Sequence, residues 1–301
     1  MTPVPARKHV GRPKTTTGTV AATPIVRRTE DLRVAIAPWR AAGQRVGLVP
    51  TMGALHDGHM ALVHRARSDC DRVVVTIFLN PKQFNAAADL DQYPRDLAGD
   101  CALLAAAGAD LVFAPEVGEM YPDGFVTTVS VAGLTDCLCA RARPGHMDGV
   151  ATVVTKLLMQ AQPDDAYFGE KDYQQLLVVR RLVRDLCVPV RIGAVPVVRD
   201  ADGLALSSRN VFLTPAQRRQ APALYRVLQT AAGRLIAGGD TAKELARARE
   251  ALAKASFDTI DYVELRRGDT LAPLAYPEPP ARLFAAAWLG QTRLIDNVPV
   301  C

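Results

Sequence analysis

The sequence predicts an α/β protein: a parallel sheet wound with helices on both faces, followed by a smaller C-terminal α+β domain. Three observations predict it. Strand-length apolar runs alternate with helix-length stretches between residues 45 and 195. The run Val73-Val74-Val75-Thr76-Ile77 is almost wholly β-branched, which suits a central strand covered on both faces. Beyond about residue 198 the pattern shifts to long Ala- and Arg-rich stretches and then short strands. Alternation of the first kind marks successive βαβ crossovers, and so a Rossmann-like core.

Taken in order, the strands are expected at 45–50, 72–79, 110–114, 166–168 and 190–195, and the helices at 58–68, 96–107, 149–162 and 172–186. The first strand rests on Val46, Leu48 and Val49 and runs into a glycine-bearing turn. The second ends at Asn80-Pro81, a sharp-turn dipeptide. The strand at Tyr167-Phe168 meets Gly169, a charged stretch, and then a helix with Leu176, Val179, Leu182 and Val183 on one face. Asp172 can cap that helix. Thr214-Pro215 reads as an N-cap followed by proline at the first helical position, opening one long helix. Another helix begins near Thr241, and three strands follow at 261–266, 282–289 and 292–295, with Pro273, Pro277, Pro279 and Pro280 in the loop between the first two.

A chain of 301 residues, 49% hydrophobic and 22% charged, is long enough for a large domain plus a smaller one. We divide it at 1–24, 25–198 and 199–301. Residues 1–28 hold Arg7, Lys8, Arg12, Lys14, Arg27 and Arg28 with no acid, so 1–24 reads as a disordered basic leader. It lacks the aromatic platforms of a nucleic-acid arm, and the +5 net charge and pI of about 9.0 do not require such a partner. No apolar run approaches the roughly 20 residues of a membrane span, and no secretory h-region opens the chain. Six scattered cysteines read as reduced thiols of a cytoplasmic protein. The spacing Cys137-x-Cys139 does not match a zinc site, and no metal ligands are assigned.

Four segments carry chemistry. Residues 50–59, Pro50-Thr51-Met52-Gly53-Ala54-Leu55-His56-Asp57-Gly58-His59, place two histidines where a strand turns into a helix. A helix start offers amides and a positive dipole end to phosphate, and imidazoles there can stabilise a reacting phosphoryl group. Asn80 and Gln83 follow the second strand. Gly169-Glu170-Lys171-Asp172 sits at another strand exit, where Lys171 suits a phosphate. Leu206-Ser207-Ser208-Arg209 at the domain border gathers two hydroxyls and a guanidinium. Their order describes a cleft that grips a triphosphate from two sides. His64 reads as a surface residue.

With Tyr93-Pro94-Arg95, Arg143-Pro144-Gly145-His146 and Gln174-Gln175, these blocks fall in the order of a known family. From about residue 25 to 298 the sequence resembles the pantoate–β-alanine ligases, within the nucleotidylyltransferase superfamily that carries a His-x-Gly-His signature. The resemblance implies ATP-dependent condensation of (R)-pantoate with β-alanine to pantothenate. It proceeds through a pantoyl adenylate with release of pyrophosphate and AMP, using magnesium with ATP, in a cytoplasmic homodimer. It further implies that His59, the proton donor, acts with His56, Lys171, Ser207, Ser208 and Arg209. Met52 through His59, Gly169 through Asp172, Val198 and Leu206 through Arg209 would meet ATP. Gln83, Gln175, Asn80, Thr51 and Met52 would meet pantoate or β-alanine. Paired Gln83 and Gln175 with the 143–146 block distinguish this reading from other nucleotidylyltransferases. The chain departs from the family pattern at Cys139-Ala140, where Glu-Gly is common, at Met147, where Phe is usual, and at Lys82, where a neutral residue is common. These changes are expected to alter the pocket floor, with Ala140 stiffening a loop.

Overall fold

Six parallel strands form the main sheet: β1 (Ile25–Val26), β2 (Val46–Thr51), β3 (Arg72–Ile77), β4 (Leu111–Phe113), β5 (Asp165–Gly169) and β6 (Arg191–Val195). The structure, a computed structural model, describes residues 22–85 and 87–300. The leader expected at 1–24 therefore lies outside the described residues up to 21. Residues 22–24 belong to the fold: Thr23 is buried and donates to the Ala109 carbonyl, and Pro24 accepts from the Val112 amide. The sheet order is β1-β4-β3-β2-β5-β6. From β2 the chain moves outward through β3 and β4, then returns to add β5 and β6 on the other side of β2. The crevice between the ends of β2 and β5 is the topological switch point, where ligands of such sheets bind.

Helices cover both faces: α1 (Thr29–Ala41), α2 (Asp57–Asp69), α3 (Ala87–Gln92), α4 (Leu97–Ala106), α5 (Val117–Met120), α6 (Leu138–Ala142), α7 (His146–Ala161) and α8 (Tyr173–Asp185). Strand alternation divides the core. Val46, Leu48 and Val74 point to one face with Leu32 and Ile36 of α1, Leu158 of α7 and Leu182 of α8. Val49, Val73 and Val75 point to the other, against Leu62, Val63 and Ala66 of α2 and Leu104 of α4. The expected strands and helices are present, with ends shifted by up to a few residues. Strand β1 is too short to show periodicity, and Pro38 inside α1 hides that helix from the pattern.

The C-terminal part holds α9 (Pro215–Gln220), α10 (Ala223–Ile236), α11 (Thr241–Lys254) and an antiparallel sheet of β7 (Thr259–Arg267), β8 (Ala281–Leu289) and β9 (Thr292–Pro299). The single long helix expected after Thr214 is in fact two. Pro222 has no amide to continue the ladder, and its ring would crowd the carbonyl four residues back, so α9 stops and α10 starts. One face of the small sheet (Val263, Leu265, Leu283, Ala285) packs on Leu228 and Leu252 of α10 and α11. Its other face sends Tyr262, Phe284 and Ala286 into the main core. Arg199, at the start of the C-terminal part, donates to both carboxylate oxygens of Asp296 on β9, at 2.6 and 2.8 Å.

One close approach bears on the site. Gly149 of α7 lies against the helical turn Pro81–Gln83, and its carbonyl accepts from Asn80. A Cβ there would sit 2.2 Å from the Lys82 carbonyl oxygen and 2.8 Å from the Gln83 amide nitrogen. Gly149→Ala should therefore cost about 1–3 kcal/mol of stability, read as a shift in the urea midpoint. A wild-type midpoint would contradict the close packing.

Candidate active site

The turn after β2 is built before any ligand arrives. Thr51 donates its hydroxyl to the Thr76 carbonyl at 2.6 Å and accepts from the Gly53 amide. Gly53 adopts φ +81°, where a Cβ would also approach Asp100 and Ile77, so glycine suits this turn on both counts. The Ala54 and Leu55 amides donate to the two carboxylate oxygens of Asp100 on α4, at 2.9 and 2.7 Å. Burial pushes the Asp100 carboxyl up, while those two amides pull it back.

Helix α2 then begins with a reciprocal cap. His56 Nδ1 accepts from the Gly58 amide at 3.1 Å, and His59 Nδ1 accepts from the His56 amide at 3.3 Å. The His59 and Met60 amides donate to the His56 carbonyl. The expected row of free amides at the helix start is thus corrected. The amides of Gly53, Ala54, Leu55, Gly58 and His59 are already bonded, and the histidines themselves face the cavity. With Nδ1 accepting in both rings, the proton of each neutral imidazole rests on Nε2. The ring centroids lie 4.1 Å apart. Burial brings His56 down to about 4, helped by the Lys171 charge. Burial, then His56, brings His59 down to about 3. Both rings are neutral near pH 7.

The cavity they face has a volume of about 540 Å³. Its lining includes Thr51, Met52, His56, His59, Asn80, Gln83, Lys171, Asp172, Gln175, Leu206, Ser207, Ser208 and Arg209. Most side chains singled out from the sequence therefore meet in one space. Gly53, Ala54, Leu55, Asp57, Gly58, Gly169, Glu170 and Val198 lie outside the lining. Val198 still helps shape the border, its carbonyl accepting from the Leu206 amide. His64 is exposed, as expected.

The side chains are held from several elements. Gln83 Oε1 accepts from Asn80 at 3.0 Å, and Tyr121 donates to Asn80 Oδ1 at 2.7 Å. The Gln83 carbonyl receives His146 Nδ1 at 2.8 Å and Arg143 at 3.1 Å. Burial and the Arg209 charge bring Arg143 down to about 10. Burial and Arg143 bring His146 down to about 4. From the C-terminal part, Asn297 of β9 donates to the Glu170 and Lys171 carbonyls, fixing the Lys171 turn. Ser208 donates to the Ala54 carbonyl at 2.9 Å, tying its helical turn to the loop after β2. Ser207 caps that turn through the Arg209 amide.

Asp100 and Asn297 have no local signal, since their role exists only across dozens of intervening residues. Arg143 and His146 were visible as a block without a role. Of the departures, Ala140 lies inside α6 rather than in a loop, so its helix propensity fits the backbone. Met147 lines the cavity floor. Lys82 lies outside the lining, its ammonium 5.2 and 5.1 Å from the Tyr121 and Phe125 rings. Among the described residues, no group of three or more His, Cys, Asp or Glu is arranged to hold a metal, and no helix is long and apolar enough to cross a membrane.

A doubly wound sheet whose switch-point cavity brings two neutral imidazoles together with Lys171 and Arg209 defines an α/β enzyme built for anionic substrates. The chain belongs to the pantoate-beta-alanine ligase family, whose sequence profile matches residues 24–299, and is thus a ligase. It is 58% identical to the pantothenate synthetase of Chelativorans sp. (strain BNC1), over 92% of this chain and 98% of that protein. It is 55% identical to that of Cereibacter sphaeroides (strain ATCC 17029 / ATH 2.4.9), over 92% and 99%. The crystal structure of the Thermus thermophilus pantothenate synthetase superposes with a TM-score of 0.87 at 49% identity, over 92% of this chain and 99% of that one. The Francisella tularensis pantoate-beta-alanine ligase, solved in complex with beta-gamma ATP and beta-alanine, gives 0.79 at 33% identity, over 93% and 98%.

The lowered histidines predict a pH dependence of stability. His56, His59 and His146 would titrate near 6.5 when unfolded, and near 4, 3 and 4 when folded. Between those values the unfolded chain binds protons that the folded chain does not. Stability present above about pH 6.5 is lost as pH falls towards 4, by up to about 1.4 kcal/mol per pH unit for each ring. Urea unfolding at about pH 7 and about pH 5 should show the drop, and His59→Gln should make it shallower. An identical drop in that variant would rule out His59 as a contributor.

Proposed function

We propose that the cavity condenses (R)-pantoate with β-alanine to pantothenate in two steps, driven by ATP. The observation that carries this reading is the neutral His56–His59 pair facing Lys171 and Arg209 across one cavity at the β2–β5 switch point. The ligands of the Francisella tularensis relative support ATP and β-alanine as occupants. In the first step a pantoate carboxylate oxygen attacks the α-phosphorus of ATP. The new P–O bond forms as the bond to the bridging oxygen breaks, giving pantoyl adenylate and pyrophosphate. In the second, the β-alanine amine attacks the acyl carbon and AMP leaves.

Each residue's part follows from its chemistry. Charge grows on the non-bridging oxygens and on the departing pyrophosphate. The Nε2–H groups of His56 and His59 donate to that charge without carrying charge themselves, so the proton-donor role of His59 is hydrogen-bond donation from a neutral ring. Lys171, Ser207, Ser208 and Arg209 hold phosphates from the facing wall. Met52, Asp172 and Leu206 bound the nucleotide. Gly169, Glu170 and Val198 support it through backbone. Gly53, Ala54, Leu55, Asp57 and Gly58 serve indirectly, by fixing the turn that presents the histidines. Gln83, Gln175, Asn80, Thr51 and Met52 orient pantoate, neutral amides binding a nucleophile without quenching it as a bidentate arginine would.

Asp172 on the cavity wall would hold a magnesium ion accompanying the triphosphate, an ion that takes one or two carboxylates and would neutralise charge on the phosphates. We also place the domain border at residue 199 and propose a cytoplasmic homodimer. The five described cysteines are free thiols, and Val126 is 90% exposed on a segment without sheet partners.

Incubation with ATP, magnesium and pantoate should yield pantoyl adenylate and pyrophosphate by mass detection, and addition of β-alanine should yield pantothenate and AMP. ADP and phosphate in their place would overturn the mechanism. His59→Ala should slow pantoate-dependent ATP–pyrophosphate exchange by on the order of a hundredfold, and an unchanged rate would remove its role. Gln83→Ala should raise the KM for pantoate several-fold more than that for ATP. Equal effects on both would mark Gln83 as a residue of the turn alone.

A further inference from the structure

On the same cavity lining, among side chains given no role above, a thiol meets a guanidinium. Cys139 of α6 lies with its Sγ 3.0 Å from the Tyr262 hydroxyl of β7 and 3.5 Å from Arg293 Nη1 of β9. All three side chains line the same cavity as His59. Arg293 donates through Nε to Asp261 at 2.7 Å, and the other carboxylate oxygen of Asp261 is taken by Trp288 at 3.0 Å. The Arg293 side chain is nine-tenths buried, yet its Nη2 has no hydrogen-bond partner. A thiol sulfur is a weak acceptor, so this end of the guanidinium is underused. A buried donor in that position calls for an oxygen.

We propose that Cys139 is a modification site for small peroxides, at which the oxygen added to sulfur becomes the acceptor for Arg293. The sulfur attacks one peroxide oxygen. The S–O bond forms as the O–O bond breaks, the sulfur giving up two electrons and the peroxide being reduced. The departing hydroxide takes the thiol proton and leaves as water, so Cys139 becomes a sulfenic acid. Its oxygen meets the free Nη2, and any anion formed there is countered by the guanidinium. The modified side chain narrows the cavity next to Gln174, whose Oε1 accepts from the Cys139 amide at 3.0 Å, and so next to Gln175. It also strengthens a contact between α6 and the small sheet.

Cys137 is the internal reference. It is as buried as Cys139, at 7%, but lies outside the cavity lining, and burial pushes its thiol up. The test treats the intact protein with dilute hydrogen peroxide and dimedone, which traps sulfenic acids, and assigns the label by fragment-ion mass spectrometry. Cys139 should carry at least roughly fivefold more label than Cys137, Arg293→Lys should reduce that label several-fold, and Cys139→Ser should abolish it. Equal labelling of the two cysteines in the wild-type protein, a comparison that needs no variant, would overturn the proposal. So would undiminished labelling in Arg293→Lys.

Discussion

The reciprocal cap at the start of α2 sets the terms for the rest of the cavity. A helix start normally leaves amides seeking acceptors. Here His56 and His59 supply them from their own rings, and in doing so each commits Nδ1 and turns Nε2–H outward. The arrangement works only while both rings are neutral, since an imidazolium has no lone pair to accept with. Burial and the nearby Lys171 charge enforce that neutrality. One local hydrogen-bond pattern thus decides tautomer, orientation and charge together. Asp100 completes it from below by holding the two preceding amides, so the loop cannot relax into a different entry to the helix.

The facing wall is held by the C-terminal part. Asn297 donates to the carbonyls on both sides of the Lys171 Cα, and Ser208 reaches across to Ala54. Asp296, next to Asn297, anchors Arg199 with two hydrogen bonds, and Arg199 stacks on Tyr225 with its guanidinium carbon 3.6 Å from the ring centre. Those contacts lie within the C-terminal part and brace β9, the strand whose Asn297 reaches across to position the lysine turn. Displacing β9 would disturb the phosphate side of the cavity and the domain contact at once.

Much of this was legible in the sequence because it is local. The β-branched runs, the turn at 50–59 and the charged exit at 169–172 declare themselves by residue type and spacing, and their side chains converge as the alternation implied. The parts that were not legible depend on distance or on competition. Asp100 reads as an ordinary acid in the first turn of a helix, and only the folded chain brings it to residues 54 and 55. Of the free amides expected around the start of α2, those of His56 and Gly58 were taken by the histidine rings and that of His59 by the His56 carbonyl. Pro222 was passed over in a stretch otherwise rich in helix formers, and Pro38 concealed a helix that continues only one turn past it. Ala140 was judged by the residue usual at that position, whereas the backbone around it is helical.

Arg143, Arg209 and Lys171 border one cavity, and Arg209 is close enough to Arg143 to weaken its hold on a proton. Asp89 and Asp172 on the same lining offset part of that charge, and what remains focuses a field outwards into the solvent. Incoming polyanions are drawn towards the mouth, and the pull fades as added salt shortens the Debye length. The same field slows the exit of a multiply charged leaving group more than that of a singly charged one. In this ligase ionic strength therefore acts on capture and on discharge in opposite directions, and turnover need not change monotonically with salt.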